Sequence, residues 1–245
     1  MHRFFLSPEL IQTDHLLFPI ETAHQISRVL RLSVGRTIQV LDGLGTEYLV
    51  ELDYVGEDRV SGKVIDSKKE DTEPKTFVRL LVGLTQREKF EWILQKCTEI
   101  GVSDFVPMIT SRSLVQSPDG VANKYPRWQK IIREAAEQSH RGIIPNLEPV
   151  QLFNEIVKNQ LPSETAGLIF WEEEQQTGLK KFMERTSNRQ FNLMVGPEGG
   201  FTPDEVSLAQ RSGYKSVSLG KRILRLETAA LFAAGFRSAL SALRK

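Results

Sequence analysis

Two glycine-rich turns near the C-terminus have the residue types of a ligand-binding loop. Residues 195–205 read VGPEGGFTPDE, and residues 219–229 read LGKRILRLETA. Each segment follows a short apolar run and precedes a predicted helix start. Glycine has no Cβ, so its backbone can approach a ligand closely. We expect the ends of two neighbouring strands to bring both turns into one site for a small cofactor.

Three common cofactor and metal motifs are missing from this chain. A phosphate-binding P-loop places Lys-Ser/Thr after its glycines, whereas Phe201 and Thr202 follow here. No GxGxxG fingerprint opens a βαβ unit. The only cysteine, Cys97, falls on the apolar stripe of a predicted helix, which indicates core packing. The histidines do not cluster as metal ligands would, and we predict no metal site. The four are His2, His15, His24 and His140.

Basic residues are concentrated locally although the whole chain is nearly neutral. The chain has 32 basic and 31 acidic residues, so no overall field points to a nucleic acid or a membrane. Between Glu205 and Glu227, however, there are five basic residues and no acid. Residues 22–41 and 124–141 are also rich in basic side chains. Each run alone is typical of a solvated face, but together they suggest a phosphate-contacting surface.

The first part of the chain is predicted to be mostly β. Short β-branched runs at 37–43, 47–52 and 59–65 suggest a small barrel. A helix over 21–32 is expected before them, with Ala23, Ile26, Val29 and Leu30 on its buried face. The charged stretch 66–75 is predicted to be a linker. We therefore expect one domain over residues 1–70 and a second over 76–245.

From residue 76 the pattern changes to alternating strands and helices, which predicts an α/β domain with a parallel sheet. Strands are expected at 77–84, 105–109, 167–171, 191–195 and 214–219, and helices over 90–100, within 122–140, over 203–213 and over 226–244. Thr202, Pro203 and Glu205 have the spacing of a capping box. No run has the length of a membrane span and no signal peptide is recognised, which predicts a soluble cytoplasmic protein without a membrane partner.

Four segments of the chain together resemble the RsmE family, the bacterial 16S ribosomal RNA uridine N3-methyltransferases of the SPOUT superfamily. They are HQISRVLRL at 24–32, QREKFEWILQKCTEIGV at 86–102, GPEGGFTPDEV at 196–206 and SLGKRILRLETAA at 218–230. The resemblance covers nearly the whole chain. It implies a PUA-like N-terminal β-barrel that binds RNA, and a SPOUT methyltransferase domain with a C-terminal trefoil knot. It also implies S-adenosylmethionine as cofactor, 16S rRNA or the 30S subunit as partner, and a homodimer.

The resemblance places the cofactor on the three strand ends at 170–172, 196–200 and 218–228. An adenine needs an apolar slot with a few backbone hydrogen-bond partners, which Leu219, Ile223 and Leu224 and their amides can supply. S-adenosylmethionine carries no phosphate, which agrees with the missing P-loop lysine. The cofactor-binding candidates are Phe170, Gly196, Pro197, Glu198, Gly199, Gly200, Ser218, Leu219, Gly220, Ile223, Leu224, Arg225 and Thr228.

The implied reaction moves a methyl group from a sulfonium to a uracil nitrogen. Uracil N3 is a poor nucleophile until its proton leaves, so the site needs a base or a cation that stabilises the anion. Arg225 is the candidate cation, and Glu198 and Glu227 are the candidate bases. A carboxylate such as Glu227 is also favourable at a helix start without any catalytic role. The RNA-contact candidates are His24, Arg28, Arg31, Arg36, Arg112, Arg133 and Arg141.

Two other functions are compatible with these residues. One is a SPOUT enzyme that acts on another RNA, such as transfer RNA. The other is a ribosome-binding module without catalysis, which would be expected to have degraded glycine loops. Both loops are intact in this sequence.

Overall fold

The structure, a computed structural model, describes residues 1–11 and 14–243, without the side chains of 183–185 and 236–243. The chain divides into two compact units. The first comprises residues 1–73 together with 136–144, and the second comprises 74–135 together with the chain from 145 onward. The segment 136–144 thus packs with the N-terminal residues, although its sequence continues a helix that was expected in the second domain.

The first unit is built on a mixed five-stranded sheet. Its strands are β1 (Arg3–Phe5), β2 (His15–Leu17), β3 (Thr37–Leu41), β4 (Thr46–Val55) and β5 (Val60–Lys69). The strand order is β1-β3-β4-β5-β2, with β1 parallel to β3 and the other pairs antiparallel. Leu16, Ile26, Ile38, Val50 and Leu52 are fully buried in its core. The β-rich character predicted for this part of the chain is confirmed, whereas this sheet is not a closed barrel.

The predicted linker begins too early in the sequence. Residues 66–69 extend β5, because they pair with residues 46–49 of β4. Their side chains are polar or charged and exposed at the surface. The segment therefore has no apolar residue of the kind that usually indicates a strand. Long hairpin pairing therefore overrides local composition here.

The predicted helix over 21–32 is shorter than expected and changes its winding. Helix α1 (Ile20–His24) continues into a π-helical turn, Gln25–Val29, in which the Leu30 amide donates to the Gln25 carbonyl at 2.9 Å. The wider turn rotates the following residues away from the expected face. Ala23 and Ile26 are buried as predicted, but Val29 is 66% exposed.

The second unit contains a seven-stranded, all-parallel sheet, which confirms the α/β prediction. Its strands are β6 (Phe77–Gly83), β7 (Asp104–Ile109), β8 (Asn146–Leu147), β9 (Gln151–Leu152), β10 (Thr165–Phe170), β11 (Gln190–Val195) and β12 (Lys215–Val217). The order is β12-β10-β11-β6-β7-β8, and β9 also pairs with β7. The central strands are buried on both faces, as their continuous apolar runs predict.

The remaining helices are α2 (Arg87–Glu99), α3 (Tyr125–Gln138), α4 (Phe153–Ile156), α5 (Leu179–Arg185), α6 (Pro203–Arg211) and α7 (Leu226–Leu243). The capping box at the start of α6 is confirmed, since Thr202 and Glu205 exchange side-chain to backbone hydrogen bonds. Cys97 is fully buried in α2 as predicted, and burial raises the pKa of its thiol. Among the described residues, no helix combines the length and hydropathy needed to cross a bilayer.

The register of the parallel sheet decides which loops meet. Phe170 at the end of β10 lies opposite Val195 of β11 and Val217 of β12, and Val195 lies opposite Val82 of β6. The four strands therefore end level with one another. The loops that follow them emerge at the same edge of the sheet, which is the usual place for a ligand in parallel α/β proteins.

Candidate functional site

A cavity of about 400 Å³ lies at this edge, at the carboxyl ends of β10, β11 and β12. That volume is in the range of small-molecule sites. Both glycine-rich turns contribute to its wall. The candidates that line it are Phe170, Gly196, Pro197, Glu198, Gly200, Ser218, Leu219, Gly220, Ile223, Leu224, Arg225 and Glu227. The structure therefore brings together twelve residues that the sequence assigned to the site.

Two glycines lie at close contacts between the first turn and the neighbouring strand ends. Gly200 has a φ of +68°, in the left-handed region that favours glycine. A Cβ at Gly200 would lie 2.2 Å from Oε1 of Glu172. A Cβ at Gly83, the last residue of β6, would lie 2.5 Å from the backbone nitrogen of Pro197. The close approach of the turn to β6 therefore requires glycine at position 83, where a Cβ would meet backbone, and the positive φ favours glycine at position 200.

Gly199 occupies the outer side of the same turn and does not line the cavity. Its φ lies outside the left-handed region, and a Cβ there would meet Cβ of Arg112 at 3.0 Å. The expectation that Gly199 meets the ligand is therefore not what the geometry supports. Thr228 is also outside the cavity lining, because it points to solvent from the first turn of α7.

Arg112 supports the turn from the outside. Its Nη1 donates a hydrogen bond to the Gly199 carbonyl at 2.7 Å. The neighbouring Ser111 donates twice to Oε1 of Glu205, from its backbone nitrogen and from Oγ, both at 2.8 Å. Glu205 is 4% exposed and also caps α6. The loop after β7 therefore fixes both the glycine turn and the helix that follows it, a role that sequence reasoning did not assign to Arg112.

Glu198 is held by two partners that are distant in sequence. Its Oε1 accepts hydrogen bonds from Thr85 Oγ1 and from Lys89 Nζ, the latter at 3.0 Å. Burial raises the pKa of the Glu198 carboxyl, but hydrogen bonds from Thr85, from the backbone amide of Glu198 and from Lys89 together outweigh it and leave the pKa below its usual value. A carboxylate with a lowered pKa is a weak base. This environment argues against Glu198 as the base and favours a structural and electrostatic role.

The second turn is open and cationic. Gly220 has a φ of +117°, and its amide donates to Ser218 Oγ at 3.2 Å. Ile223 is 88% exposed beside it. Lys221, Arg222 and Arg225 are exposed, and none of them forms an ion pair within the described part of the chain. This rim can therefore offer positive charge to an incoming group.

Several cavity residues were not among the predicted contacts. Lys89 belongs to α2, which directly follows β6, so its position after a buried strand was the available signal. Glu172 follows Phe170 by two residues, at a strand end that the sequence did identify. The additional residues are Lys89, Trp171, Glu172, Val195, Lys221, Arg222, Leu226 and Ala229. Five of them lie within the predicted segments 170–172 and 218–228, whereas Lys89, Val195 and Ala229 lie outside those segments.

The basic residues predicted to contact RNA are placed differently from one another. His24, Arg28, Arg31 and Arg36 are exposed on the first unit, although Arg28 pairs with Glu57 at 2.7 Å. Arg133 is exposed on α3. Arg141, by contrast, is 5% exposed and pairs with Glu73 at 2.6 Å. Arg141 therefore stabilises the first unit and is not available to a phosphate in this structure.

Comparison with known proteins supports an assignment. A family model described as an RNA methyltransferase domain matches residues 72–238. The Bacillus subtilis protein named ribosomal RNA small subunit methyltransferase E is 35% identical over 95% of this chain and 94% of its own length. The Synechocystis protein of the same name is 34% identical over 93% of this chain and 74% of its own length.

Solved structures agree with these sequence matches. A ribosomal RNA small subunit methyltransferase E from Neisseria gonorrhoeae, bound to S-adenosyl methionine, superposes with a TM-score of 0.89 at 30% identity, covering 98% of both chains. A putative methyltransferase from Legionella pneumophila in complex with the same cofactor gives a TM-score of 0.87 at 27% identity, covering 97% of both chains. The family model spans more than half of the chain, and the relatives exceed 30% identity over almost all of it. The chain therefore belongs to the ribosomal RNA small subunit methyltransferase E family of RNA methyltransferases.

Proposed function

We propose that this protein transfers a methyl group from S-adenosylmethionine to N3 of a specific uridine in 16S ribosomal RNA of the small subunit. The observation that carries the proposal is the cavity at the strand ends, which both glycine turns line, in a chain of this family. The names of the relatives support a small-subunit rRNA substrate. The Neisseria gonorrhoeae neighbour supports the cofactor.

The residues of the cavity fit S-adenosylmethionine. Phe170, Val195, Leu219 and Leu224 provide an apolar wall of the kind that an adenine ring needs. The glycine turns leave room for the backbone to approach a ribose. Carboxylates at the ends of β10 and β11 line the same cavity. The described lining residues include no histidine or cysteine, and S-adenosylmethionine needs neither a metal ligand nor a phosphate-binding loop.

When bound, S-adenosylmethionine supplies an electrophilic methyl group on a sulfonium. The protein must then favour the deprotonated form of uracil N3. Arg225 lines the cavity on the cationic turn and is the residue we assign to the negative charge on the uracil oxygens. Glu227 also lines the cavity and remains a candidate base, whereas Glu198 is engaged by Thr85 and Lys89. Uridine N3 lies on the Watson–Crick edge, so the target must be unpaired or flipped out.

The finer architecture follows from the same assignment. We assign an RNA-binding PUA-like domain to residues 1–70 and a SPOUT domain with a trefoil knot to residues 76–245. The β-rich first unit and the parallel sheet of the second are compatible with them. We also assign a homodimer and a cytoplasmic location.

The test of this function has two steps. Calorimetry after chelator treatment is expected to detect binding of S-adenosylmethionine or S-adenosylhomocysteine. Incubation with 16S rRNA, 30S subunits and transfer RNA, followed by mapping of methylated uridines, is expected to give one N3-methyluridine in 16S rRNA. Absence of heat with either ligand from folded protein, or methylation of transfer RNA alone, would contradict the proposal.

Replacing Arg28 and Arg31 together with alanine is expected to weaken RNA binding and to flatten its salt dependence. Both side chains are exposed on the first unit, and each lost phosphate contact removes about one released counterion from the salt slope. Affinity for S-adenosylmethionine should stay within about twofold. RNA affinity measured by filter binding at several salt concentrations, with calorimetry for the cofactor, tests this division of labour.

The matched control is the double change Lys96→Ala and Lys158→Ala. It removes the same charge from the second unit. Among the described residues, Lys96 pairs with Glu99 and Lys158 pairs with Glu155. An equal loss of RNA affinity in the control would show that the first unit has no special part in RNA binding. A loss of cofactor affinity in the Arg28/Arg31 variant would contradict the proposed division of labour between the two units.

A further inference from the structure

Glu172 is a carboxylate of the cavity that has no hydrogen bond or ion pair with another described residue. It follows Phe170, the last residue of β10, by two positions, and it lines the cavity together with both glycine turns. Within the described residues it forms no hydrogen bond and no ion pair, unlike Glu198, which is bound by Thr85 and Lys89. Glu227, the other carboxylate of the wall, lies in the first turn of α7, where the helix dipole already favours it. Glu172 has no comparable structural partner.

The Glu172 carboxylate lies close to the backbone of the first glycine turn. Its Oε1 lies 2.2 Å from the position that a Cβ at Gly200 would occupy, and its Cδ and Oε2 lie 3.0 Å from the same position. The carboxylate therefore lies against a turn that lines the cavity. Glycine at position 200 provides the space for it.

An unpaired carboxylate can attract a cationic ligand into a cavity that several cationic side chains also line. Lys221, Arg222 and Arg225 also line the cavity, and they have no acidic partner among the described residues. Lys89 offsets the charge of Glu198. The side chains of Lys221, Arg222 and Arg225 would repel a ligand with a net positive charge unless a carboxylate in the same cavity attracted it. S-adenosylmethionine has two cationic centres, the sulfonium and the α-ammonium, against one carboxylate.

We propose that Glu172 recognises a positively charged centre of the cofactor, the sulfonium or the α-ammonium, and so determines the cavity's preference for a cationic ligand. This inference rests on the proposed function, because it assumes that S-adenosylmethionine occupies the cavity. It assigns the carboxylate to ligand recognition and not to proton transfer. If the sulfonium is the centre recognised, Glu172 also distinguishes the cofactor from the neutral thioether left after methyl transfer.

The test compares three ligands by calorimetry on the full chain. S-adenosylmethionine has both cationic centres, S-adenosylhomocysteine has only the ammonium, and 5′-methylthioadenosine has neither. The change Glu172→Gln keeps the shape of the side chain and removes its charge. It is expected to weaken S-adenosylmethionine binding by about three- to fivefold, the upper part of the range for a solvent-accessible ion pair. Binding of 5′-methylthioadenosine should stay within about twofold.

The behaviour of S-adenosylhomocysteine identifies the centre. If its affinity is unchanged, Glu172 recognises the sulfonium, and if it weakens equally with S-adenosylmethionine, Glu172 recognises the ammonium. Unchanged affinity for all three ligands, or an equal loss that includes 5′-methylthioadenosine, would overturn the proposal. The matched control is Glu173→Gln, an exposed neighbouring carboxylate outside the cavity, which should leave all three affinities unchanged. Failure of the unmodified protein to bind any of them would instead contradict the proposed function.

Discussion

Arg225→Ala is expected to lower the rate of methyl transfer by about 10²–10³-fold, while affinity for S-adenosylmethionine falls much less. Uracil N3 must carry negative charge as it attacks the methyl group, and a guanidinium near the uracil oxygens lowers the free energy of that charge. Arg225 lines the cavity, is exposed, and forms no ion pair with a described residue. Its charge is therefore available to a substrate. Single-turnover methylation at saturating RNA and cofactor measures the effect.

Saturating concentrations separate this role from a simple RNA contact. An arginine that only binds a phosphate would affect RNA affinity, and saturation would hide its loss. The control is Arg211→Ala, which removes an exposed arginine at the end of α6, outside the cavity. A single-turnover rate for Arg225→Ala within a few-fold of the unmodified protein would remove Arg225 from the catalytic residues.

Gly200→Val is expected to weaken S-adenosylmethionine binding by about tenfold or more. A non-glycine residue in the left-handed region costs about 1–2 kcal/mol, and a β-branched residue is especially unfavourable there. Gly200 has a φ of +68°, and any Cβ would displace the Glu172 carboxylate. The turn must therefore change shape on the side that lines the cavity. Calorimetry measures the affinity, and circular dichroism with thermal melting shows whether the variant is folded.

The control for this variant is Gly178→Val. Gly178 has an extended backbone, with φ of −82° and ψ of 147°, and no heavy atom lies within 4 Å of a Cβ placed there. Valine fits such a backbone without strain, so cofactor affinity should be retained. Equal affinity in folded Gly200→Val protein would mean that the glycine turn does not form the cofactor site. The sequence alone would have suggested Gly199 for this experiment, but Gly199 faces Arg112 instead of the cavity.

The elements with long periodic patterns were predictable because their burial is visible in the sequence. The continuous apolar runs of β6, β7, β10 and β11 correspond to strands buried on both faces of a parallel sheet. The Thr202 capping box needs only residues within one turn, so its spacing identifies the start of α6. Elements with no such signal were missed, among them the three-residue strands β1 and β2.

The π-helical turn after α1 also escaped prediction. Apolar spacing assumes a constant helical period, and the wider turn at residues 25–29 changes it. The same limitation applies to residues 66–69, whose strand character comes from pairing with β4 and not from their own composition. In both places the local sequence is compatible with more than one structure, and contacts elsewhere in the first unit select one.

The sequence by itself determined the parallel α/β unit and the two turns that line its cavity, because strand ends and glycine breaks are local features. Only the tertiary structure decided how those residues are used. Lys89 and Glu198 are 109 positions apart, and Arg112 and Gly199 are 87 apart. Arg141 and Glu73 are 68 apart, and their pairing buries a guanidinium that the sequence assigned to RNA. Such pairs depend on the order and register of the strands, which bring distant segments within hydrogen-bonding distance and which no local pattern encodes.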